Sequence, residues 1–167
     1  MSWVAILMGS QSDWSAMDSA TEVLGDLGIE FEVKVSSAHR TPRETAAYVG
    51  DAESRGCGVV ICGAGLAAHL AGAVAAHTTR PVIGVPMDAG PLSGFDALLS
   101  TVQMPPGIPV ATVAVGRTGA KNAGYLAGQI LALGNEELAE RLSQDRAQNR
   151  EKVAEQNRSI QAALDSE

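Results

Sequence analysis

The sequence has few basic, aromatic and cysteine residues, and each scarcity excludes a class of protein. Its 12 Lys and Arg stand against 19 Asp and Glu, for a formal charge of −7, so it lacks the general attraction that draws proteins to nucleic acid or to anionic membranes. Aromatic residues make up only 4% of the chain, which leaves little to stack on a flavin ring. The two cysteines, Cys57 and Cys62, are too few for a metal cluster or a disulfide framework and are typical of a reducing cytoplasm.

Long apolar segments are also absent from the sequence. No apolar run reaches the roughly 18 residues of a membrane span, and residues 1–9 show no basic leader. Hydrophobic residues make up 46% and charged residues 19% of the 167 positions, which is enough for a core of one ordinary domain. We therefore predict a soluble, cytoplasmic protein with a single domain over residues 1–167 that binds neither nucleic acid nor membrane.

Charge is distributed unevenly along the chain. Residues 59–134 include five charged side chains, whereas residues 135–167 include five basic and eight acidic ones. A buried parallel sheet with closely packed, small-residue helices accounts for part of the charge-poor segment. The remainder has too little polar side chain to cover a monomer's exterior, so we expect contacts between identical subunits to cover it.

Five short apolar runs alternate with helical patterns, and no hairpin turn separates them. The sequence predicts strands at residues 4–8, 31–35, 59–62, 82–85 and 110–115. It predicts helices at residues 14–27, 41–55, within 66–79, and at 95–102, 120–133 and 135–164. Ser12 or Asp13 is the expected cap of the first helix, and Thr41 with Glu44 the expected capping box of the second.

This alternation predicts an α/β fold, a three-layer α/β/α sandwich around a five-stranded parallel sheet. The last helix has few apolar positions, so residues 135–167 are expected to form an extended C-terminal helical arm. In parallel sheets, ligands bind beyond the carboxyl ends of the strands. The loops after the first four strands should therefore form the site.

The loops after the first two strands carry polar side chains. Residues 9–13, with the sequence GSQSD, offer backbone N–H groups and hydroxyls that suit a phosphate or a sugar, or that form an ordinary helix cap. After the second strand, Arg40 precedes a helix start, where the helix dipole prefers an anion, so an anionic ligand would resolve the conflict. His39 beside it is a candidate general acid and base near neutral pH.

The loop after the third strand is rich in small residues. Residues 63–72 read GAGLAAHLAG, which exposes backbone donors and allows close approach of a carboxylate or carbon dioxide. The third glycine of the dinucleotide-binding fingerprint is missing, so a nicotinamide cofactor is disfavoured. His69 and His77 do not have the i, i+4 spacing of a metal pair. His69 is a candidate for a secondary role in the site, and His77 is expected to lie outside it.

Four motifs occur in order along the chain, at residues 9–13, 37–42, 63–70 and 100–105. Together they resemble the catalytic subunit of phosphoribosylaminoimidazole carboxylase. Within that family, the chain is most similar to the bacterial class I branch, the N5-carboxyaminoimidazole ribonucleotide mutases of de novo purine biosynthesis. The resemblance covers about residues 4–145.

This resemblance implies a flavodoxin-like catalytic domain, a homo-octamer, a nucleotide substrate, and catalysis with no metal and no organic cofactor. The implied isomerase reaction moves a carboxylate from the exocyclic nitrogen of an aminoimidazole to ring carbon C4, giving 4-carboxy-5-aminoimidazole ribonucleotide. His39 is implied as the proton-transfer residue, and the Ala64–Ala68 amides as the groups that hold carbon dioxide between the two steps. The implied substrate-binding residues are Ser10, Ser12, Asp13, Ser37, Arg40, Ala64, Gly65, Ala67, Ala68, His69 and Leu70.

Two positions depart from the family pattern, and two other functions stay open. Ala71 replaces the usual proline and Leu66 stands where a smaller residue is common, so the sequence leaves the shape of the carbon dioxide pocket undetermined. A related branch carboxylates aminoimidazole ribonucleotide directly, although the Arg40–Thr41 pair favours the mutase. A non-catalytic, flavodoxin-like module that binds a nucleotide would use the same loops without needing His39.

Overall fold

The computed structural model describes residues 2–165, which form a five-stranded sheet between two layers of helices. All neighbouring strands are parallel, in the order β2-β1-β3-β4-β5. The strands are β1 (Trp3–Met8), β2 (Phe31–Val35), β3 (Cys57–Ala64), β4 (Val82–Pro86) and β5 (Ala111–Thr112). The predicted three-layer fold is confirmed, while the predicted domain and arm include residues 1, 166 and 167, which lie outside the described residues.

Six α-helices connect and cover the described strands. They are α1 (Trp14–Asp26), α2 (Pro42–Ser54), α3 (Leu70–Ala75), α4 (Phe95–Val102), α5 (Gly116–Ala132) and α6 (Glu136–Leu164). Within residues 2–165, no helix combines the length and apolar character needed to span a membrane. The 29-residue α6 buries only Leu138 and Leu142, so most of it projects as the predicted arm.

The central strand β1 is buried on both faces, and its side chains alternate between two cores. Val4 and Ile6 pack in the core that includes α1 and α5, whereas Ala5 and Leu7 pack in the core that includes α2 and α3. An apolar run without polar alternation is therefore what this strand requires. Cys57 and Cys62 are buried free thiols of β3, as packing residues would be.

The boundaries of several elements differ from the prediction; β3, for example, runs from Cys57 to Ala64 rather than over residues 59–62. The edge strand β5 contains only Ala111–Thr112, because its ladder with β4 joins two residue pairs. Helix α5 begins at Gly116 rather than at residue 120, and no side chain caps it. Helix α3 begins only at Leu70, because Leu66 takes a left-handed conformation with φ of 55° that interrupts a helix.

The strand order places one end of β1 at a topological switch point. The chain passes from β1 to β2 on one side and returns to β3 on the other, so the loops after β1 and β3 leave the sheet in opposite directions. In this doubly wound order the crevice lies between those loops, at the carboxyl ends of the strands. The fold therefore brings the loops after β1, β2 and β3 together.

Candidate active site

A cavity of about 540 Å3 lies at the carboxyl ends of the strands. All the loops expected to form a site contribute to it, those after β1, β2, β3 and β4. The predicted residues that line it are Ser10, Ser12, Asp13, Ser37, His39, Arg40, Ala64, Gly65, Ala67, His69 and Leu70. Ala68 is the exception, since it is buried and its N–H donates to Ser100 Oγ at 3.0 Å.

The loop after β1 folds into a single 3₁₀ turn, Gln11–Asp13, before α1 begins. Ser10 caps this turn, because its Oγ accepts from Ser12 N–H and its own N–H donates to Asp13 Oδ2 at 3.0 Å. Asp13 occupies the N-cap position of α1, as predicted, but its side chain makes no capping hydrogen bond to that helix. Burial raises the pKa of Asp13, and the hydrogen bond from Ser10 opposes that shift in part. The turn thus presents hydroxyls and a half-buried carboxylate to the cavity.

The loop after β2 is closed by Thr41, which does not form the predicted capping box. Thr41 Oγ1 accepts from Ser37 N–H at 2.9 Å and donates to Ser37 O at 3.1 Å, so it has no bond to the first turn of α2. Pro42 does occupy the first helical position, as expected. Ser36 Oγ and Thr45 Oγ1, 2.6 Å apart in the interior, fix the start of this loop to α2.

The guanidinium of Arg40 lines the cavity and has only neutral partners. Its Nη2 donates to Gly9 O at 3.2 Å, and its Nε to Ser37 Oγ at 3.4 Å. Within the part of the chain that the structure describes, Arg40 forms no ion pair, whereas several other arginines do. Its charge is therefore available to an anionic ligand that enters between the first two loops.

The imidazoles of His39 and His69 meet across the cavity. His39 Nε2 lies 2.7 Å from His69 Nδ1, and the rings stand edge to face at 83°. At this distance one proton lies between the two nitrogens, donated by either ring according to its tautomer. Both side chains are exposed to the cavity. His77, in contrast, lies away from the cavity, as expected from the sequence.

The loop after β3 supplies the apolar side of the cavity. The amides of Gly65, Leu66 and Ala67 donate to no acceptor within residues 2–165, so they are open to a ligand. Leu66, whose effect on the pocket was left open by the sequence analysis, contributes its side chain to the lining together with Ala89 from the loop after β4. Nothing in the pattern around residue 89 indicates a site.

Among residues 2–165, no three His, Cys, Asp or Glu side chains come together as a metal site. The titratable groups that line the cavity are Asp13, His39, Arg40 and His69. The arrangement is suited to binding an anion at one end and transferring a proton in the middle.

This chain is similar in sequence to known proteins along most of its length. The family model described as AIR carboxylase matches residues 3–152. The N5-carboxyaminoimidazole ribonucleotide mutase of Brucella melitensis is 54% identical over 152 residues, 91% of this chain and 94% of that protein. The protein of the same name from Bacillus subtilis is 51% identical over 152 residues, with the same coverage.

A solved structure agrees with the sequence relationship. The crystal structure of PurE from Treponema denticola superposes with a TM-score of 0.86 at 29% identity and covers 95% of this chain and 98% of that one. The family model extends over the strands, the four cavity loops and the first part of α6. The chain therefore belongs to the AIR carboxylase family.

Proposed function

We propose that the protein is an N5-carboxyaminoimidazole ribonucleotide mutase of purine biosynthesis. The observation that carries the proposal is that relatives named N5-carboxyaminoimidazole ribonucleotide mutase are 54% and 51% identical to this chain over 91% of its length. The cavity supports it, because a guanidinium without an ion-pair partner, a pair of imidazoles and small apolar residues line a single space. This combination of groups fits a nucleotide whose aminoimidazole ring releases carbon dioxide at one atom and takes it up at another.

The polar side of the cavity binds the phosphoribosyl group in this proposal. Arg40 and the hydroxyls of Ser10 and Ser37 receive the phosphate, because Arg40 has no carboxylate partner and the Ser10 hydroxyl already sits at a turn with open donors. Ser12 lies next to Ser10 and completes this polar wall. Asp13 receives the ribose hydroxyls, since a half-buried carboxylate needs donors.

The apolar side of the cavity holds the carboxyl group while it moves. Open amides of Gly65 and Ala67 donate to the carboxylate of the substrate and then to carbon dioxide. Ala64 and Leu70 form the wall behind them. The Ala68 amide is already bonded to Ser100, so it acts indirectly by fixing this turn to α4.

The proton transfers are assigned to His39. In the first step the protonated imidazole gives its proton to the exocyclic nitrogen, the N–C bond breaks with its electron pair going to nitrogen, and carbon dioxide is released. In the second step ring carbon C4 attacks carbon dioxide, a C–C bond forms, and the now neutral imidazole takes the proton from C4. The proton count balances, and one group that both gives and takes a proton serves both steps.

Direct carboxylation of aminoimidazole ribonucleotide is the competing reaction, and the description of the family, AIR carboxylase, names it. The two reactions share the second step and differ in the source of carbon dioxide. The binding-module alternative has less support, because the cavity lining includes no Phe, Tyr or Trp to stack on a flavin or a base.

The test supplies each candidate substrate separately to the purified protein. We expect formation of 4-carboxy-5-aminoimidazole ribonucleotide from the N5-carboxylated substrate at low bicarbonate, and from plain aminoimidazole ribonucleotide only with high added bicarbonate. Fast turnover of aminoimidazole ribonucleotide at low bicarbonate, together with no turnover of the N5-carboxylated substrate, would assign the protein to the direct carboxylases.

The assembly that we propose is a homo-octamer. Phe95 is 65% exposed, and Leu92, Leu99 and Val102 continue the same apolar surface around α4, which in an isolated chain would face water. Along α6, Val153 and Ile160 are exposed as well, so the arm has apolar side chains for a neighbouring subunit. A second copy of this chain is the expected partner, and light scattering that finds an active monomer would contradict this assembly.

We also propose the cytoplasm as its compartment. Cys57 and Cys62 are both free thiols, as is usual where glutathione and thioredoxin keep cysteines reduced. Cell fractionation with an antibody to the protein tests this location.

A further inference from the structure

The backbone at Leu66 adopts a conformation that leucine rarely takes. Its φ of 55° lies in the left-handed region, where Cβ crowds the following carbonyl group. Only one other residue besides glycine has a positive φ within residues 2–165, namely Ser93. Strained residues persist where the surrounding structure fixes them, and they cluster at functional sites.

The strained conformation places the Leu66 side chain at the mouth of the cavity. The side chain lines the same cavity as His39 and is 51% exposed in the isolated chain. It packs onto Gly90, in the loop after β4, so closely that a Cβ on Gly90 would lie 2.6 Å from Leu66 Cδ2. Gly90 itself has φ of 79°, so both residues of this contact adopt left-handed backbone.

A second contact joins the same two loops below Leu66. A Cβ built on Gly65 would lie 2.9 Å from Ala89 Cβ, and Met87 N–H donates to Ala64 O at 2.9 Å. The loops after β3 and β4 therefore form one continuous apolar wall. Of the two leucines in the cavity lining, Leu66 is exposed and Leu70 is buried.

We propose that Leu66 covers the apolar end of the cavity and slows the escape of the carbon dioxide formed there. This inference rests on the proposed function. Carbon dioxide has no charge and no net dipole, so a branched apolar side chain obstructs its path to water without binding it. Exclusion of water from a site also suppresses loss of reactive intermediates. Leu66 makes no bond to the substrate in this account and acts on the fate of the intermediate.

The test compares Leu66→Gly with Leu66→Met. Glycine accepts a φ of 55° without strain, so this variant should fold with unchanged thermal stability or better. The readout is the fraction of turnovers of the N5-carboxylated substrate that release free aminoimidazole ribonucleotide instead of product. We expect this fraction to rise by about fivefold or more in Leu66→Gly and to stay within about twofold of the parent in Leu66→Met, which keeps an apolar side chain of similar volume.

Leu133→Ala is the control, because Leu133 is an exposed leucine that neither lines the cavity nor belongs to the apolar surface around α4. It should leave the released fraction unchanged. A parent enzyme that converts the carbamate, together with a Leu66→Gly variant whose released fraction is unchanged, overturns this inference alone. Equal increases in Leu66→Gly and Leu133→Ala also overturn it, since the effect would then not be specific to Leu66. A parent enzyme that fails to convert the carbamate overturns the proposed function itself.

Discussion

His39 Nε2 and His69 Nδ1 lie 2.7 Å apart, although the two residues come from different loops and are 30 positions apart in sequence. One ring donates an N–H to the other, in a direction that depends on the tautomers, so each imidazole fixes the position of the other. The sequence marked each histidine as a candidate, but only the fold brings them into contact. The proposed acid–base chemistry depends on this pair.

Removal of the His39 imidazole should abolish proton transfer without harming the fold. We expect His39→Asn to lower kcat by about 10²- to 10⁴-fold, the range for loss of a general acid–base group, with nucleotide binding retained. Steady-state kinetics and calorimetric binding measure the two effects. The matched control is His77→Asn, which removes an exposed imidazole outside the cavity and should leave kcat unchanged. Near-parental turnover of His39→Asn would remove His39 from the mechanism.

His69 is expected to act as a positioning residue through His39. His69→Phe keeps a planar ring but removes the nitrogen that bonds to His39, so kcat should fall by about 10- to 100-fold with little change in KM. Because the pair acts as a unit, the double variant with His39→Asn should be no slower than His39→Asn alone. Fully additive losses would show that the two histidines act independently.

Much of the architecture could be predicted from local sequence. The buried strand β1 and the Pro42 start of α2 each carry a local signal, an apolar run or a fixed φ, and the structure confirms both. The start of α5 had no such signal, since Val115 precedes it without a side-chain cap. Thr41 had the pattern of a capping box, but its hydroxyl is taken by Ser37 within the loop.

The candidate site was predicted less completely than the fold. Residues with charge or hydroxyl groups could be found one by one, because their chemistry is visible in the sequence. Ala89 lines the cavity only because the loop after β4 packs on Gly65, a contact between segments that no local pattern encodes. Ala68 was expected in the pocket, but Ser100 on α4 takes its amide.

Arg40 should matter for ligands that carry a phosphate. We expect Arg40→Ala to weaken binding of the nucleotide and of inorganic phosphate by about 10- to 100-fold, the usual loss for a charge-assisted hydrogen bond, with little effect on the corresponding nucleoside. Titration calorimetry with the three ligands measures this difference. Arg43→Ala is the control, since Arg43 is exposed nearby and does not line the cavity. An equal loss for nucleotide and nucleoside would exclude a phosphate contact.

At neutral pH the ionised Asp13 should lower the stability of the fold, although the same carboxylate contributes to substrate binding. Its folded pKa is raised by burial, so its favourable contribution to stability is fully present below its ordinary pKa of 3.8 and is lost as pH rises through the folded pKa. Asp13→Asn keeps an oxygen that can accept from Ser10 N–H and removes the buried charge. We therefore expect a higher Tm than the parent at pH 7, a difference that shrinks as the pH falls, and weaker substrate binding.

Thermal denaturation of the parent and of Asp13→Asn across the acidic range measures this dependence. A variant that is less stable than the parent at pH 7 would show that the ionised carboxylate stabilises the fold, in conflict with the raised pKa. Unchanged substrate affinity in the variant would separately remove Asp13 from the ribose site.

The central claim is that carbon dioxide moves within one bound molecule of substrate, and the most direct test follows that carbon atom. N5-carboxyaminoimidazole ribonucleotide labelled with ¹³C in its carbamate is converted in unlabelled bicarbonate, and the product carboxylate is examined by mass spectrometry. The account predicts that the product keeps the label, because the carbon released in the first step is captured at C4 before it leaves the cavity. Product that carries unlabelled carbon, with the ¹³C recovered as bicarbonate, would contradict it.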